Sequence, residues 1–493
     1  MKKLWNILPM VVIVGTLSVS CSLEEEPVGF LSTENFYENE GDARSAIAYA
    51  YAALPEVEYY SRHFYLVTTV PTEEFTIKSD AGASQHDLDQ LRPLPNNREL
   101  TDVFRYAYIG INRTNVVIDE VPQIEMDEAL RNQIVGEGHF LRGLHYFNLV
   151  RLFGDVPVHT STVRDVESTS RELTSQEQVY ELIIEDLQQA VEMMDQQPRY
   201  GRANQVAAWS LLSKVYLHLA SAGATGVDGY EFVANPDEYY ELAADYAGYV
   251  VHEQNVFHLE QDLREIYSVY NTDGPERIFY ITTHRTGELE GNYNKLPLLL
   301  HPYIDGAEIT LTDGVSFPSG WDHARIELPF YYSYDADDRR RTELIVDTVI
   351  VDDEVMTFSG GDLIAPFTRK FVDPEQQGEQ TSTDIPVLRY SDILLTYAEA
   401  VGPTSAGYQA VNEIRERAGL PELTPGLSVD EFRDAVLRER SWELAFEGQR
   451  LFDLRRTNKM EEILEGEYGK TIHNNAYYYE IPQIERDVNE FIN

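Results

Sequence analysis

The chain has 493 residues, 43% hydrophobic and 25% charged, which is the composition of a globular protein with a large core rather than of a disordered one. Asp and Glu number 84 against 39 Lys and Arg, a formal charge of -45 spread along the whole sequence. Such a surface repels phosphate backbones, which argues against nucleic-acid binding, and disfavours polyanionic polymers; a neutral ligand is the default expectation.

In chain order, Lys2 and Lys3 precede an apolar run, residues 4–17, of secretory-signal length and too short to span a bilayer comfortably. Residues 1–20 are read as a signal peptide. Cys21 is the only cysteine and has no disulfide partner within the chain. Leu17-Ser18-Val19-Ser20-Cys21 resembles a loose bacterial lipobox, in which the cysteine is acylated and anchors the protein without a transmembrane helix.

Helical periodicity covers residues 40–54, 101–121 and 128–152, the last ended by Phe153-Gly154-Asp155-Val156-Pro157. Thr174 and Glu177 form a capping box for 179–194; 203–222 is apolar and helical; Asn235, Pro236 and Glu238 open 239–252. Near the C-terminus, 390–400, 406–418 and 429–447 repeat the pattern, with Ser428 and Glu431 as a capping box and Gly448 as the stop. Stacked helical hairpins follow from these lengths, without a clean 34-residue repeat. Between residues 259 and 386 the helical period disappears, and β-branched runs at 277–283 and 344–351 alternate with Gly, Pro and Asp, predicting short hairpins and long loops. Residues 57–100 are similarly irregular. Long loops in a compact protein are usually functional, so the two regions are expected to meet and form the working surface.

HExxH, G-x-S-x-G, CxxC and phosphate-binding glycine loops are absent from the sequence, and the closest helical histidine pair, His139 and His145, is six apart and on different faces. Asp335, Asp337 and Asp338, and Asp347 with Asp352 and Asp353, could offer oxygens to a structural calcium, but match no calcium-loop spacing and read as acidic turns. In residues 438–456, Glu439, Glu443 and Glu447 recur at i, i+4 and i+8 among five arginines. Such carboxylates suit either glycosidic acid/base chemistry or ion pairs that clamp a helix to its neighbours, and the capping box with the surrounding Arg438, Arg440, Arg450, Arg455 and Arg456 favours the clamp.

Trp5 lies in the signal peptide, and Trp209 and Trp442 lie in helical runs; Trp321 alone falls in a loop, where an indole offers a flat face for stacking on a sugar ring. Tyr59, Tyr60 and Tyr65 in the first irregular region and Tyr293 and Tyr303 in the second could add ring faces. Arg62, His86, Asp87 and Asp322 are the polar groups beside them in sequence, of the kind that fix sugar hydroxyls.

The stretch from Leu23 through the first helix, residues 136–158 (GEGHFLRGLHYFNLVRLFGDVPV), VLRYSDILLTYAEA (387–400), AVNEIRERAGL (410–420) and RERSWELAFEGQRLFDLRR (438–456) together resemble the SusD/RagB family of Bacteroidetes surface glycan-binding lipoproteins. The family's usual Asn-Pro-Gly-Tyr ending is missing. The acidic Glu24-Glu25-Glu26 after Cys21 resembles the signal that sends such lipoproteins to the cell surface. The resemblance implies a mostly α-helical SusD-like fold, four degenerate TPR-like hairpins supporting a loop-rich half with short β-hairpins. It implies one domain over residues 21–493, with helical segments about 40–258 and 387–456 and ligand loops about 57–100 and 259–386. It further implies an outer-membrane, cell-surface location, no catalysis, no cofactor, and a SusC-like TonB-dependent barrel as partner in importing an oligo- or polysaccharide. By position, Trp321 and the neighbourhood of His86 and Asp87 are its ligand residues. The rivals are the peptide- or protein-binding lid of a RagB-like importer and, remotely, a glycoside hydrolase using Glu439 with Glu443 or Glu447.

Overall fold

The computed structural model describes residues 37–165, 168–286, 293–473 and 476–492, so the signal peptide read at 1–20 and the lipidation read at Cys21 lie outside the described residues. Helices α1 (Glu40–Tyr51), α2 (His63–Thr69), α3 (Ala83–Asp89), α4 (Arg98–Glu120), α5 (Glu128–Phe153), α6 (Gln176–Met193), α7 (Gln205–Thr225) and α8 (Pro236–Gly248) precede the central region. Short α9 (Leu296–Leu300), α10 (Leu328–Ser333) and α11 (Arg339–Leu344) lie within it. After it come α12 (Tyr390–Val401), α13 (Ser405–Arg417), α14 (Val429–Glu443), α15 (Arg450–Arg456) and α16 (Gln483–Val488). Four pairs stack in series: α1 with α4, α5 with α6, α7 with α8, and α12 with α13, joined where α4 packs on α5, α6 on α7 and α8 on α12. The fold is mostly α, as the periodicity predicts.

Side-chain caps set the helix starts. Asn97, Asp127, Ser175, Asn204, Thr404 and Ser428 each accept a first-turn backbone N–H that has no partner within its helix. The Ser428–Glu431 capping box forms as expected. Two expectations shift: α6 is capped by Ser175 rather than Thr174, which is drawn into a two-residue strand opposite Val156, and Asn235 makes no side-chain cap bond. Helix α5 is buried around nearly its whole circumference from Gln133 onward, as the central helix of the stack. Helix α4 approaches it at Gly110, where a Cβ would lie 2.3 Å from the His145 ring. His139 and His145 serve different partners, Asp186 at 2.7 Å and the Tyr59 hydroxyl at 3.2 Å.

The central region is built of short antiparallel ladders. A four-stranded sheet in the order Glu354–Thr357, Thr348–Val351, Glu308–Leu311, Ser316–Pro318 has its own small core around Ile309, Phe317, Val349 and Phe367. Arg277–Ile281 pairs with Ile385–Arg389, which leads the chain back into α12. The two irregular regions do meet: Phe75–Ile77 pairs with Ala324–Ile326 in the register Phe75↔Ile326, Ile77↔Ala324. Residues 57–100 are more helical than their pattern suggests, because every residue of α2 is buried and no polar face marks its period.

In the stretch 438–456, α14 ends at Glu443, before the predicted stop at Gly448, and the chain turns through Phe446 (φ 67) and Gly448 (φ 73) into α15. Glu447 therefore sits beyond the helix, yet all three glutamates point into one buried ion-pair cluster. Glu439 meets Arg340 (2.6 Å) and Arg415 (2.7 Å), Glu443 meets Arg389 (2.7 Å) and Arg417 (2.6 Å), and Glu447 meets Lys370 (2.7 Å) and Arg389 (2.7 Å). With Glu276 and Asp338 the cluster holds five carboxylates against five cations, so it is neutral as a whole. The arginines of the stretch do not neutralise these glutamates, as the sequence suggests. Arg440 and Arg456, joined by Lys214, instead form a second neutral cluster with Asp392, Asp453 and Glu399, and Arg450 pairs with Glu73. Engaged and sealed from solvent, Glu439, Glu443 and Glu447 cannot reach a glycosidic bond, which corrects the hydrolase reading; they are a clamp.

Candidate functional site

The loop after Ser316–Pro318 carries Trp321, and its backbone is locked on both sides. The Gly320 N–H donates to Pro302 O (2.9 Å), that of Trp321 to Leu298 O (2.6 Å), that of Asp322 to His301 O (2.9 Å) and that of His323 to Leu299 O (2.8 Å). Gly320 is obligatory by close approach, since a Cβ there would lie 2.5 Å from the His301 carbonyl oxygen. Gly320→Ala should therefore shift the whole loop and lower stability by about 1–3 kcal/mol in urea denaturation; a change under about 0.5 kcal/mol would show that the loop yields freely.

From the other irregular region, the Lys78 N–H donates to His323 O (3.1 Å) and the Lys78 ammonium to the Trp321 carbonyl (3.4 Å). Helix α3 is tied to the same loop: His323 Nε2 lies 2.9 Å from Gln85 Oε1, and Gln85 Nε2 donates to Glu99 Oε1 (2.9 Å). Burial first, then the charges of Arg62 and Lys78, push the His323 pKa down to about 4, against the opposite pull of Glu99 and Asp80. The imidazole is therefore neutral at ordinary pH, and we assign its proton to Nε2, bonded to Gln85.

The outcome is a junction where the two irregular regions are bonded to each other. Trp321 is half-buried, with part of its ring on the main core and the rest at the surface. His86 and Asp87 are half-exposed on α3, next to Gln85. Asp322 adopts φ 50, unusual for a residue with a side chain, and its carboxylate takes two bonds from Arg325 (3.0 and 2.6 Å). Arg62 is half-buried and near enough to act on His323. Tyr303 is 63% exposed beside Pro302, which the Trp321 loop bonds, and its hydroxyl donates to Asp305 (3.3 Å). Tyr293 is half-buried, with the Lys295 ammonium 5.9 Å from its ring centre.

Three of the tyrosines are not at the surface. Tyr59 and Tyr60 lie in the core with their hydroxyls both accepting from Asn148, at 2.9 and 2.7 Å, and Tyr65 is wedged between Phe75 and Phe371. Their rings have no free face to offer, which removes them from the ligand set. Sequence reasoning missed Lys78, Asp80, Gln85 and His323; only His323 carried a signal, two residues from Trp321. The acidic turns close on local partners, Asp338 on Arg340 and Asp347 on the Tyr331 hydroxyl, and among the described residues no group of three His, Cys, Asp or Glu side chains converges as a metal cage. Among the described residues no helix is long and apolar enough to cross a membrane.

Comparison with known proteins matches both halves of this architecture. A family model described as the SusD family matches residues 363–492, and one described as "Starch-binding associating with outer membrane" matches 33–217. SusD-like protein P2 of Formosa agariphila is 28% identical over 486 residues, covering 92% of this chain and 90% of that protein. Starch-binding protein SusD of Bacteroides thetaiotaomicron is 24% identical over 437 residues, 76% of this chain and 73% of that one. Among solved structures, a laminarin binding SusD-like protein superposes with a TM-score of 0.77 at 22% identity, covering 92% of this chain and 98% of its own. Surface glycan-binding protein A from Bacteroides thetaiotaomicron, in complex with laminarihexaose, does so with a TM-score of 0.74 at 20% identity, covering 92% and 99%. These two show a shared fold. With two family models over both ends of the chain, relatives along nearly all of it and the stacked helix pairs in place, the chain belongs to the SusD/RagB family.

Proposed function

We propose that this protein is a surface-anchored, non-catalytic receptor that captures a neutral oligo- or polysaccharide at the Trp321 junction and passes it to a TonB-dependent, SusC-like barrel for import. The observation that carries the reading is the placement of Trp321. Its loop is fixed by four backbone bonds, its ring is partly on the core, and the loop is bonded to Lys78 and, through His323 and Gln85, to the helix that carries His86 and Asp87; with Asp322 these are side chains able to bond sugar hydroxyls. Relatives named for starch and laminarin binding support the ligand class, and the family description, with its outer-membrane association, supports the location. Acylation of Cys21 would supply the anchor.

With a half-exposed ring as the main contact and an uncharged ligand, affinity should fall roughly between micromolar and millimolar and change little with salt. Trp321→Ala should weaken binding of the cognate glycan about tenfold or more, by isothermal titration against a panel of neutral oligosaccharides. Because the ring is half-buried, the variant should also lose about 1–2 kcal/mol of stability, so the titration belongs well below its unfolding temperature. Undiminished affinity would sink the site. Native mass spectrometry of the receptor purified with its barrel should show a bound glycan; a bound peptide would overturn the glycan reading in favour of a RagB-like peptide importer.

A further inference from the structure

A cleft of about 390 Å³ lies between the turn joining α6 to α7 and the segment that leads into the strand Arg277–Ile281. The turn is tight: Arg199 and Arg202 pair across it, Gly201 takes φ 67, and Tyr200 stands at the tip, 51% exposed. The Tyr200 hydroxyl lies 3.0 and 3.2 Å from the two Asp384 oxygens. Asp384 is itself buried, accepts the Thr283 N–H (3.1 Å) and pairs with Arg277. A solvent-facing ring is thus fixed at its far end by a buried, ion-paired carboxylate. Packing does not require this of an exposed tyrosine, but a ring held ready for a ligand gains from it, since less conformational freedom is lost on binding.

The charge pattern narrows the ligand. Each guanidinium bordering the cleft is already neutralised, Arg199 by Asp195 (2.7 Å), Arg202 by Glu137 (2.5 Å) and Arg277 by Asp384. Asp273 lies near enough to help raise the Tyr200 phenol pKa, after burial and Asp384, so the rim also holds an exposed acceptor. A phosphate or sulfate would meet Asp273 with no unpaired cation among these three, whereas a sugar ring could stack on the phenol and bond its hydroxyls at the rim.

We propose that this cleft is a second carbohydrate subsite, separate from Trp321, in which a neutral sugar ring stacks on Tyr200 and its hydroxyls bond Asp273 and the Arg199 guanidinium. The inference rests on the reading of the chain as a glycan receptor and adds a second point of contact for a long polymer. The test titrates wild type, Tyr200→Ala, Tyr200→Phe, Trp321→Ala and the double alanine variant with neutral oligosaccharides, laminarihexaose among them, and runs each on affinity gels containing the matching polysaccharide. Tyr200→Ala should abolish one of two binding events and weaken gel retention about tenfold, while Tyr200→Phe, which keeps the ring but releases it from Asp384, should weaken it only a few-fold. Because Tyr200 is half exposed, circular dichroism should show both variants folded. Loss of binding in Tyr200→Ala that Trp321→Ala does not reproduce supports the subsite, even if Trp321 proves silent. Wild-type binding by Tyr200→Ala to a glycan whose binding Trp321→Ala abolishes overturns the subsite and leaves the receptor reading intact; no binding of any glycan overturns both.

Discussion

Glutamine in place of Glu443 should lower the free energy of unfolding by about 3–5 kcal/mol, read from urea denaturation. The side chain keeps its shape, but three buried guanidiniums, those of Arg389, Arg417 and Arg340, lose the carboxylate they share. The neutral cluster then carries one uncompensated positive charge that water cannot reach. Burial alone would raise the Glu443 pKa, but Arg417, Arg389 and Arg340 hold it well below the usual carboxylate range. Its folded pKa is thus depressed, so its contribution is fully present above the unfolded carboxylate value and is lost as pH falls through the folded one. Wild type and variant should converge at strongly acid pH. Arg438→Ala is the control from the same helix: its side chain is 65% exposed and 4.0 Å from Glu467, and its removal should change stability by less than about 0.5 kcal/mol. A loss under about 1 kcal/mol for the glutamine variant would mean that the cluster is not a clamp.

The contrast between Glu443 and the tyrosines shows what sequence can and cannot reveal. Helix caps such as Asp127 and Ser428 are local, and so the helices at both ends were legible to within a few residues. The partners of Glu443 are not local: Arg340 comes from α11, Arg389 from the strand before α12, and Arg417 from the end of α13. A clamp could be inferred from the i, i+4 glutamates, but not what it clamps. The same limit governs the candidate site. Trp321 stood out because it is a loop indole, whereas Lys78 and Gln85 join it only through a ladder that pairs Phe75–Ile77 with Ala324–Ile326. Tyr59, Tyr60 and Tyr65 are candidates by residue type alone, in a segment that shows no period, and burial on all sides is what erases the period.

Glu74 predicts a pH dependence of opposite sign, and it lies where the site and the clamp join. Its carboxyl is fully buried at the start of the Phe75–Ile77 strand; Oε1 accepts the Phe446 N–H (3.1 Å), and its own carbonyl accepts the Glu327 N–H (3.1 Å). Burial first, then the neighbouring Glu73, push its pKa up, while the Phe446 N–H, Arg450 and Lys370 pull it down, leaving it at about 8. Tyr65 and Tyr334 also lie near it; burial first raises both phenol pKa values well above the ordinary one, with Glu74 adding to each, and both stay neutral across this range. A folded pKa raised above the unfolded one means that the protonated form is favoured in the fold. The stabilisation is then fully present below the unfolded value of 4.5 and is lost as pH rises through 8, by about 1.4 kcal/mol per pH unit between them. Glu74→Gln keeps an acceptor for the Phe446 N–H and stays neutral at every pH. It should match wild type at pH 5 and exceed it by about 2 kcal/mol or more at pH 9 in urea denaturation. A difference that stays constant between those pH values would refute a protonated Glu74. Because its backbone holds the Trp321-side ladder and its side chain the turn after α14, hydrogen exchange at Phe446 and Glu327 should accelerate together above pH 8 in wild type, beyond the intrinsic rise with pH, and not in the variant.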